Sequence, residues 1–513
     1  MPLRTGDRET DPCSPRINLT SMPVDPRTPV LIGYGQVNHR DDTDAIEPVD
    51  LMVAAARHAA HDRVLRAVDS IRVVNLLSAR YRDAGALLGQ RIGAQRPATR
   101  YSPVGGNVPQ SLVNQACLDI RDGRAGIVLV AGGETWRTRT RLRRAGGKLA
   151  WTQQDDSIPM AVCEGEDVPM VGPAEERIGL DRPAYVYPLF EQALRIAAGE
   201  KVDDHRRRIG ELWSRFSAVA ADNPHAWIRN AVAAEEIWQP GPKNRMISWP
   251  YTKLMNSNNM VDQAAALVLT SVQTATELRI PTDTWVFPQA GTDAHDTYAI
   301  ANRAELHRSP AIRIAGARAL ELAGAANIGE IDYVDLYSCF PSAVQVAAAE
   351  LGLRTDDPDR PLTVTGGLTF AGGPWNNYVM HSIATLAELL VANPGRRGLI
   401  TANGGYLTKH SFGVYGTEPP PDGFRWEDVQ SEVDAQDTRP SVVQWQGSGK
   451  VESWTTPFDR DGRPLQAFLA VRTPDGSRTL AVLRDPDAAE STVREDIAGA
   501  AVDVHEDGTA TLR

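Results

Sequence analysis

The sequence predicts an α/β protein built from two copies of one folding unit, with a segment inserted in the first copy and a small β-domain after the second. Three observations predict this class: an internal repeat, a change of composition between the copies, and a proline-rich boundary followed by hairpin signals. The chain has 513 residues, of which 42% are apolar and 23% charged. That is enough apolar material for several domains, each with a core.

Charge and composition exclude several classes of function. The net charge of −11 argues against nucleic acid as the main partner. The longest apolar runs, 127–131 and 264–269, are much shorter than the roughly 18 residues of a membrane span. The first residues lack the pattern of a secretory signal, and the 4 cysteines are too widely spaced to indicate a zinc site or a disulfide framework. We therefore expect a soluble, cytoplasmic protein without a bound metal.

The first copy alternates short apolar strands with helical patterns. Residues Val30–Gly33 predict a strand, 51–61 a helix, and 73–77 a second strand. The apolar positions of 108–120 fall on one helical face, and 126–130 predicts the next strand, which ends in a pair of glycines. This order predicts an α/β unit.

A repeat identifies the second copy. The segments 122–133, DGRAGIVLVAGG, and 394–405, PGRRGLITANGG, align without gaps at an offset of 272 residues and share 5 of 12 positions. A helical pattern precedes each segment, and a Gly-Gly pair precedes each helix, at Gly105-Gly106 and at Gly372-Gly373. Because the same order occurs twice, we predict two homologous halves.

The remaining segments differ from the halves in composition. Residues 139–249 are rich in Trp, Arg and acidic residues and have long helical patterns, which indicates an inserted domain. Residues 421–513 begin at the last of three consecutive prolines and contain three Asp-Gly hairpin signals. They hold 18 acidic and 10 basic residues, and so acidic a β-barrel is a poor candidate for binding single-stranded nucleic acid.

These observations predict the following organisation, given in chain order. It consists of a disordered extension at 1–27, a first half at 28–138 and 250–275, an inserted loop domain at 139–249, a second half at 281–418, and a small, barrel-like β-domain at 421–513.

Four segments resemble the thiolase superfamily. Asn256–Ala266 resembles the Asn-Ala-Ser…Asp-Gly-Ala-Ala segment that ends the first half, and Asp335–Phe340 resembles the His-Asp-Cys-Phe loop of sterol-carrier-type thiolases. Gly366–Pro374 resembles the Gly-Gly…Gly-His-Pro loop, and Asn403–Gly405 resembles the Cys-x-Gly loop. The resemblance covers about residues 28–415. The branch it resembles most is the acetyl-CoA acetyltransferase-like, or type 1 thiolase-like, group, which carries an extra C-terminal domain.

The resemblance implies a fold and a ligand. The fold is a five-layered αβαβα sandwich made of two halves. The ligand is a coenzyme A thioester, as substrate or as bound molecule in lipid metabolism, with no permanently bound cofactor. Superfamily members usually dimerise, and whether this chain is a monomer or a homodimer stays open.

The resemblance also implies that the standard catalytic side chains are absent. The family's nucleophilic cysteine falls at Gly106, with Asn107 next to it, and the Asn or His of the third loop is Tyr337. The His of Gly-His-Pro is Gly373, and the second cysteine is Asn403. Since ping-pong acyl transfer needs an activated nucleophile, we expect a very poor thiolase.

Backbone N–H donors remain even where the catalytic side chains are replaced. In this superfamily an oxyanion hole uses main-chain N–H groups, which map here to Gly106 or Asn107 and to Gly405. Tyr337 is a candidate proton or hydrogen-bond donor to an enolate. Cys339 is a candidate nucleophile, and His410, after the Asn403 loop, is a candidate functional histidine. Each of these three side chains also has a purely structural interpretation.

A dense basic run over 137–148 begins just after the strand of the first repeat. Thiolases bind the coenzyme A tail with the inserted domain, and guanidinium groups suit phosphates. The candidates for phosphate contacts are Arg143, Arg144 and Lys148, and the alternative is a solvated charged surface.

Three functions stay open at this point. The first is an acyl-CoA-handling enzyme with an atypical residue set. The second is a retro-aldol lyase acting on β-hydroxyacyl-CoA, because such lyases of the superfamily also lack the cysteine, have tyrosine in the third loop and work with a small β-barrel partner. The third is a non-catalytic protein that binds coenzyme A esters.

Overall fold

The computed structural model describes residues 24–513. Of the predicted extension, residues 1–23 lie outside the described residues, and 24–27 lead through a turn into the first strand. The first half begins with the elements β1 Pro29–Asn38, α1 Pro48–Ala59, α2 Asp62–Leu65, β2 Ser70–Val73, α3 Ala84–Ile92, β3 Ala98–Tyr101, α4 Val108–Arg121 and β4 Ile127–Thr135.

The inserted segment is mainly helical. Its elements are α5 Trp136–Arg144, β5 Val162–Cys163, α6 Pro173–Ile178, α7 Pro183–Ala198, α8 Val202–Asp222, α9 Ala234–Trp238, β6 Met246–Trp249 and β7 Tyr251–Thr252. The first half then closes with β8 Asp262–Ser271 and α10 Val272–Glu277.

The second half and the C-terminal region follow. The second half contains β9 Phe287–His295, α11 Pro310–Leu322, β10 Tyr333–Asp335, α12 Pro341–Leu351, α13 Gly367–Phe370, α14 Tyr378–Ala392, β11 Arg397–Gly404, β12 Lys409–Gly416 and β13 Arg425–Asp428. The C-terminal region contains α15 Gln430–Asp434, β14 Gly447–Pro457, β15 Ala467–Arg472, β16 Arg478–Leu483, α16 Pro486–Arg494, β17 Ala501–Val504 and β18 Ala510–Leu512.

The two halves carry the same sheet. The first sheet has the order β1-β8-β4-β2-β3-β5 and the second has the order β10-β11-β12-β9-β13. In each sheet the same two pairings are antiparallel, β1 with β8 and β8 with β4 in the first, β9 with β12 and β12 with β11 in the second. The next pairing is parallel in both, β4 with β2 and β11 with β10. The segments of the sequence repeat are β4 and β11, so the repeat matches strand to strand.

The elements stack in five layers. Helices α4 and α14 contact both sheets, α1 and α3 pack on the outer face of the first sheet, and α11 and α12 lie outside the second. The side chains of β4 alternate accordingly: Val128 and Val130 join the core between the sheets, whereas Ile127 and Leu129 join the outer core. A strand buried on both faces is apolar throughout. The expected thiolase-like αβαβα sandwich is therefore confirmed.

Two elements differ from the sequence expectation. Strand β2 covers 70–73 rather than 73–77, because the chain leaves the sheet where the N–H groups of Leu77 and Ser78 donate to the carboxylate of Glu134, both at 2.7 Å. Strand β13 lies beyond the prolines but pairs in parallel with β9, so the second sheet extends past the boundary expected at 421.

The C-terminal region forms a third sheet of order β16-β15-β14-β17-β18. A bridge between Val482 and Thr509 brings the two ends of this order together, which gives the sheet a barrel-like curvature. Strand β14 also pairs with β6 of the inserted segment. No helix within residues 24–513 is long and apolar enough to cross a membrane.

The buried Arg478 joins the C-terminal region to the second half. Its guanidinium pairs with both oxygens of Glu452, at 2.7 and 2.8 Å, and also donates to the backbone carbonyls of Ala301, Arg303 and Ala304.

We expect Arg478→Ala to lower the free energy of unfolding by about 1–3 kcal/mol, because it removes the guanidinium donor of the Ala301 and Arg303 carbonyls and leaves Arg472 as the remaining partner of Glu452. Urea unfolding measures this loss. The matched control is Arg513→Ala, since the Arg513–Asp503 pair is exposed and is expected to contribute little. Equal stability of the two variants would contradict the interpretation.

Candidate functional site

The two halves meet at Gly106, just before α4. A Cβ atom at Gly106 would lie 2.3 Å from the hydroxyl oxygen of Tyr337 and 2.4 Å from the backbone oxygen of Asn403. Neither distance is compatible with a side chain, so only glycine fits here. The space into which a nucleophilic side chain would project from position 106 is thus occupied by the Tyr337 hydroxyl.

Tyr337 is held in place from two sides. Its N–H donates to Thr401 Oγ1 at 2.8 Å, and its ring packs edge-on against Tyr378 with centroids 5.5 Å apart. Burial raises the pKa of Tyr337 well above its usual value. The side chain is therefore a neutral phenol at physiological pH and is suited to donate a hydrogen bond.

Backbone donors of the two halves lie side by side at this point. The backbone nitrogen of Gly106 is 3.2 Å from where a Cβ of Gly404 would be, so the loop after β11 touches the start of α4. The N–H groups of Gly106, Asn107 and Gly405 donate to no residue within 24–513, whereas that of Gly105 donates to Asn376 Oδ1 at 3.1 Å. The three N–H groups predicted to form an oxyanion hole thus lie on two adjacent segments and have no acceptor in the described part of the chain; that they act as an oxyanion hole stays a prediction.

Two asparagine side chains border these donors. The amide of Asn403 donates from Nδ2 to Tyr187 Oη at 3.0 Å and to Cys339 Sγ at 3.8 Å. Within the described part of the chain, Asn403 Oδ1 and Asn107 Oδ1 are buried without a hydrogen-bond partner. The site therefore holds unpaired acceptors as well as unpaired donors.

Cys339 is a buried thiol beside Asn403. Burial raises the pKa of Cys339 to about 12, so the sulfur is protonated at neutral pH, whereas the thiolate is the nucleophilic form.

Tyr187, which sequence reasoning missed, lies against Cys339. The Tyr187 hydroxyl accepts from the Leu407 N–H at 3.0 Å and donates to the Gly405 carbonyl at 3.3 Å. Tyr187 lies in an apolar run of α7, and nothing in that run indicates a role at the site.

His410 lies behind the Asn403 loop and is buried. Its Nε2 is 3.6 Å from Asp296 Oδ2 and 3.3 Å from the Leu407 carbonyl. His381, by contrast, donates from Nδ1 to Gln36 Oε1 at 2.9 Å. The Gly373 N–H donates to the Asn258 carbonyl at 2.9 Å.

The basic run contributes to a separate pocket of about 450 Å³. Of the three predicted residues only Arg143 lines it; Arg144 and Lys148 do not. Arg139 of the same helix and Arg80, which sequence reasoning missed because it stands alone after β2, complete a group of three guanidiniums. Burial lowers the pKa of Arg139, and the neighbouring charges of Arg143 and Arg80 lower it further.

A single loop connects this pocket to the backbone donors. The guanidinium carbon of Arg139 lies 4.8 Å from the ring centre of Trp136, and Trp136 packs edge-on against Trp375 at 4.9 Å. Trp375 has a φ of +50°, which is strained for a tryptophan. The next residue, Asn376, accepts the N–H of Gly105. Contacts through Trp136, Trp375 and Asn376 thus link Arg139 to the backbone just before α4. Within residues 24–513, no cluster of three or more His, Cys, Asp and Glu side chains is arranged to hold a metal ion.

Comparison with known proteins identifies the family. A family model described as the thiolase-like protein type 1 additional C-terminal domain matches residues 428–509. The crystal structure of a monomeric SCP2-thiolase-like protein type 1 from Mycobacterium smegmatis is 32% identical, covers 96% of this chain and 100% of its own, and superposes with a TM-score of 0.81. The chain belongs to the SCP2-thiolase-like protein type 1 family.

More distant structures share the fold of this type 1 thiolase-like protein. They include an Ltp2-ChsH2(DUF35) aldolase, 18% identical over 76% of this chain and 98% of its own with a TM-score of 0.58. They also include the dimeric peroxisomal thiolase of Saccharomyces cerevisiae, 13% identical over 77% of this chain and 98% of its own with a TM-score of 0.54. No curated protein sequence matches the chain.

We expect Gly106→Ala to lower the free energy of unfolding by about 1–3 kcal/mol, because the new methyl group must displace either the Tyr337 hydroxyl or the backbone at Asn403. Thermal and urea unfolding measure the loss. Gly241→Ala is the matched control, since a Cβ there would meet no atom within 4 Å. An unchanged stability of Gly106→Ala would mean that position 106 has room for a side chain.

Proposed function

We propose that this protein binds acyl-CoA thioesters and polarises the thioester carbonyl with backbone donors, without forming an acyl-enzyme. The observation that supports the proposal is the close contact between the start of α4 and the loop after β11, at the point where the Tyr337 hydroxyl excludes a nucleophile and the N–H groups of Gly106, Asn107 and Gly405 have no acceptor within residues 24–513. Preorganised backbone donors stabilise a developing oxyanion whatever attacks or leaves the carbonyl carbon. The protein is then a poor thiolase that acts in lipid metabolism, in the cytoplasm.

The arginine pocket supports the same ligand. Among residues 24–513, Arg80 and Arg143 have no carboxylate partner within ion-pair distance, although the chain as a whole has a net charge of −11. Three guanidiniums that face one another repel unless an anion lies between them. The phosphates of coenzyme A are anions of this kind, and the contacts through Trp136 and Trp375 that link Arg139 to the start of α4 support one ligand for both features.

We expect Arg143→Ala and Arg80→Ala each to weaken coenzyme A binding about tenfold or more, because a charge-assisted hydrogen bond contributes about 1.5–3 kcal/mol. Isothermal titration calorimetry with coenzyme A measures the dissociation constants, and the difference should shrink as salt is raised. Arg144→Ala tests whether the phosphate contacts extend along α5.

Arg494→Ala is the control for a lost surface charge, since Arg494 pairs with Glu490 on the exposed face of α16. If the Arg80 and Arg143 variants bind coenzyme A as tightly as this control does, the basic run is a solvated surface and the ligand proposal loses its electrostatic support.

One observation favours a lyase as the second candidate. Retro-aldol cleavage of a β-hydroxyacyl-CoA leaves an enolate and needs no covalent acyl-enzyme, and the neutral phenol of Tyr337 stands next to the backbone donors that would bind the enolate oxygen. Under this candidate the C-terminal β-domain is a fused partner that holds the site in shape.

If the lyase candidate is correct, Tyr337→Phe lowers the rate of β-hydroxyacyl-CoA cleavage by at least about a hundredfold and leaves the dissociation constant for coenzyme A unchanged. Steady-state assays with β-hydroxyacyl-CoA and with β-ketoacyl-CoA plus coenzyme A separate lyase from transferase. Thiolysis at about 1–10³ s⁻¹ would refute the absence of a nucleophile, and binding without turnover of either substrate would leave a coenzyme A ester-binding protein.

A further inference from the structure

A lysine of the second half reaches across to the start of α4. Lys409 is the first residue of β12, and successive side chains of a strand point to opposite faces of the sheet. His410 lies on the side of Asp296, whereas the Nζ of Lys409 donates to the Val104 carbonyl of the first half at 2.5 Å. The lysine side chain therefore ends in the loop that leads into α4.

Two distances place its ammonium group beside the backbone donors. Lys409 Nζ lies 3.1 Å from where a Cβ of Gly105 would be, and Lys409 Cε lies 4.0 Å from where a Cβ of Gly405 would be. Because Gly105 directly precedes Gly106, standard bond lengths put Nζ within about 7 Å of the Gly106 nitrogen. The lysine thus borders both of the segments whose N–H groups have no acceptor within residues 24–513.

The charge of this lysine has no close counter-ion. Among residues 24–513, Lys409 forms no ion pair, and it donates to a neutral carbonyl. The carboxylate of Asp167 acts on it only from a distance, since it accepts the Val104 N–H at 2.6 Å. The lysine is half-buried, and burial lowers the pKa of Lys409 while Asp167 opposes that shift. A partly buried charge is screened less by salt and water than an exposed one.

The position is also an unfavourable one for a cation. Helix α4 has 14 residues, and the N-terminus of a helix carries a partial positive charge that repels a cation and attracts an anion. The free N–H groups of Gly106 and Asn107 have the same sign as the ammonium group. A lysine held here concentrates positive potential at one place, which is what stabilises an oxygen that gains negative charge.

The other ionisable side chains at this junction are uncharged at neutral pH. Burial raises the pKa of Tyr337 well above its usual value and the pKa of Cys339 to about 12. The phenol and the thiol can therefore donate hydrogen bonds but supply no net charge. Lys409 is the side chain next to Gly105 and Gly405 that can supply one.

This inference deepens the proposed function and rests on it. We infer that the Lys409 ammonium supplies the positive charge of the site, and that its field, added to that of the backbone N–H groups, polarises the thioester carbonyl of a bound acyl-CoA. The interaction between two charges falls off only with the inverse of their distance. The ammonium group therefore acts across several ångströms while it stays bonded to the Val104 carbonyl, and no proton or covalent bond changes hands.

Infrared difference spectroscopy of acetyl-CoA labelled with carbon-13 at the thioester carbonyl measures this polarisation, because a stronger field along the bond lowers the C=O stretching frequency. At saturating ligand we expect the native protein to lower the frequency relative to free acetyl-CoA, and Lys409→Gln to lose about half of that shift. Glutamine keeps an N–H donor for the Val104 carbonyl but carries no charge. Lys409→Arg, which keeps the charge, is expected to retain most of the shift.

Lys450→Gln is the matched control, because it removes the same charge from an exposed position on β14. A carbonyl frequency in Lys409→Gln equal to that in the native protein would overturn the inference, since a purely structural lysine alters stability or affinity but not the frequency of the bound carbonyl. A native protein that does not bind acetyl-CoA, or binds it without lowering the frequency, would instead overturn the proposed function, and the inference would fall with it. If Lys409→Gln does not fold, Lys409→Met decides the question by the same measurement.

Discussion

The contact between Gly106 and Tyr337 determines what the rest of the site can do. The start of α4, the end of β10 and the end of β11 converge so closely that a side chain at position 106 would overlap the phenol oxygen and a backbone carbonyl. A protein that keeps this packing cannot carry a nucleophile there. The polar groups that remain at this point are backbone N–H groups and the neutral phenol of Tyr337.

Helix α7 connects the C-terminal region to this site by direct contacts. On one side α7 packs against β14, where Ser453 Oγ donates to the Leu189 carbonyl at 2.6 Å, and Arg195 pairs with Asp496 at 2.8 Å. On the other side it presents Tyr187, whose hydroxyl accepts from Asn403 and from the Leu407 N–H. One helix therefore contacts both the C-terminal region and the loop that carries Asn403 and Gly405.

The sequence predicted the parts of the molecule that depend on local pattern. The repeat of 122–133 in 394–405 predicted two homologous halves, because a glycine-bounded apolar strand has a recognisable local composition, and the halves carry corresponding sheets. The strand expected at 73–77 was displaced because Glu134, distant in sequence, accepts the N–H groups of the residues that follow β2. The expected end of the second half also differed, since β13 gains its partner β9 only in the folded sheet.

Only those residues of the candidate site that belong to a recognisable sequence motif were predicted. Tyr337, Asn403 and Gly405 follow from motif positions, and the structure brings them together with Gly106 and Asn107. Arg80, Tyr187 and Asp296 carry no local signal, because each acquires its neighbours from a different element of the fold. Arg144 and Lys148 belong to the same basic run as Arg143, but the run is helical only to residue 144 and a helix turns successive side chains to different sides.

The unpaired polar groups at the junction of the halves argue that the site is built for a ligand. Within residues 24–513, Asn107 Oδ1 and Asn403 Oδ1 are buried without a donor, and the neighbouring N–H groups of Gly106, Asn107 and Gly405 have no acceptor. Each buried polar group left unpaired costs about 1–3 kcal/mol, and native proteins contain few of them. Two such acceptors at the junction of the halves are costly for a purely structural core. Under the proposed function, the thioester carbonyl of an acyl-CoA would accept from the free N–H groups, and a pantetheine amide would donate to these acceptors.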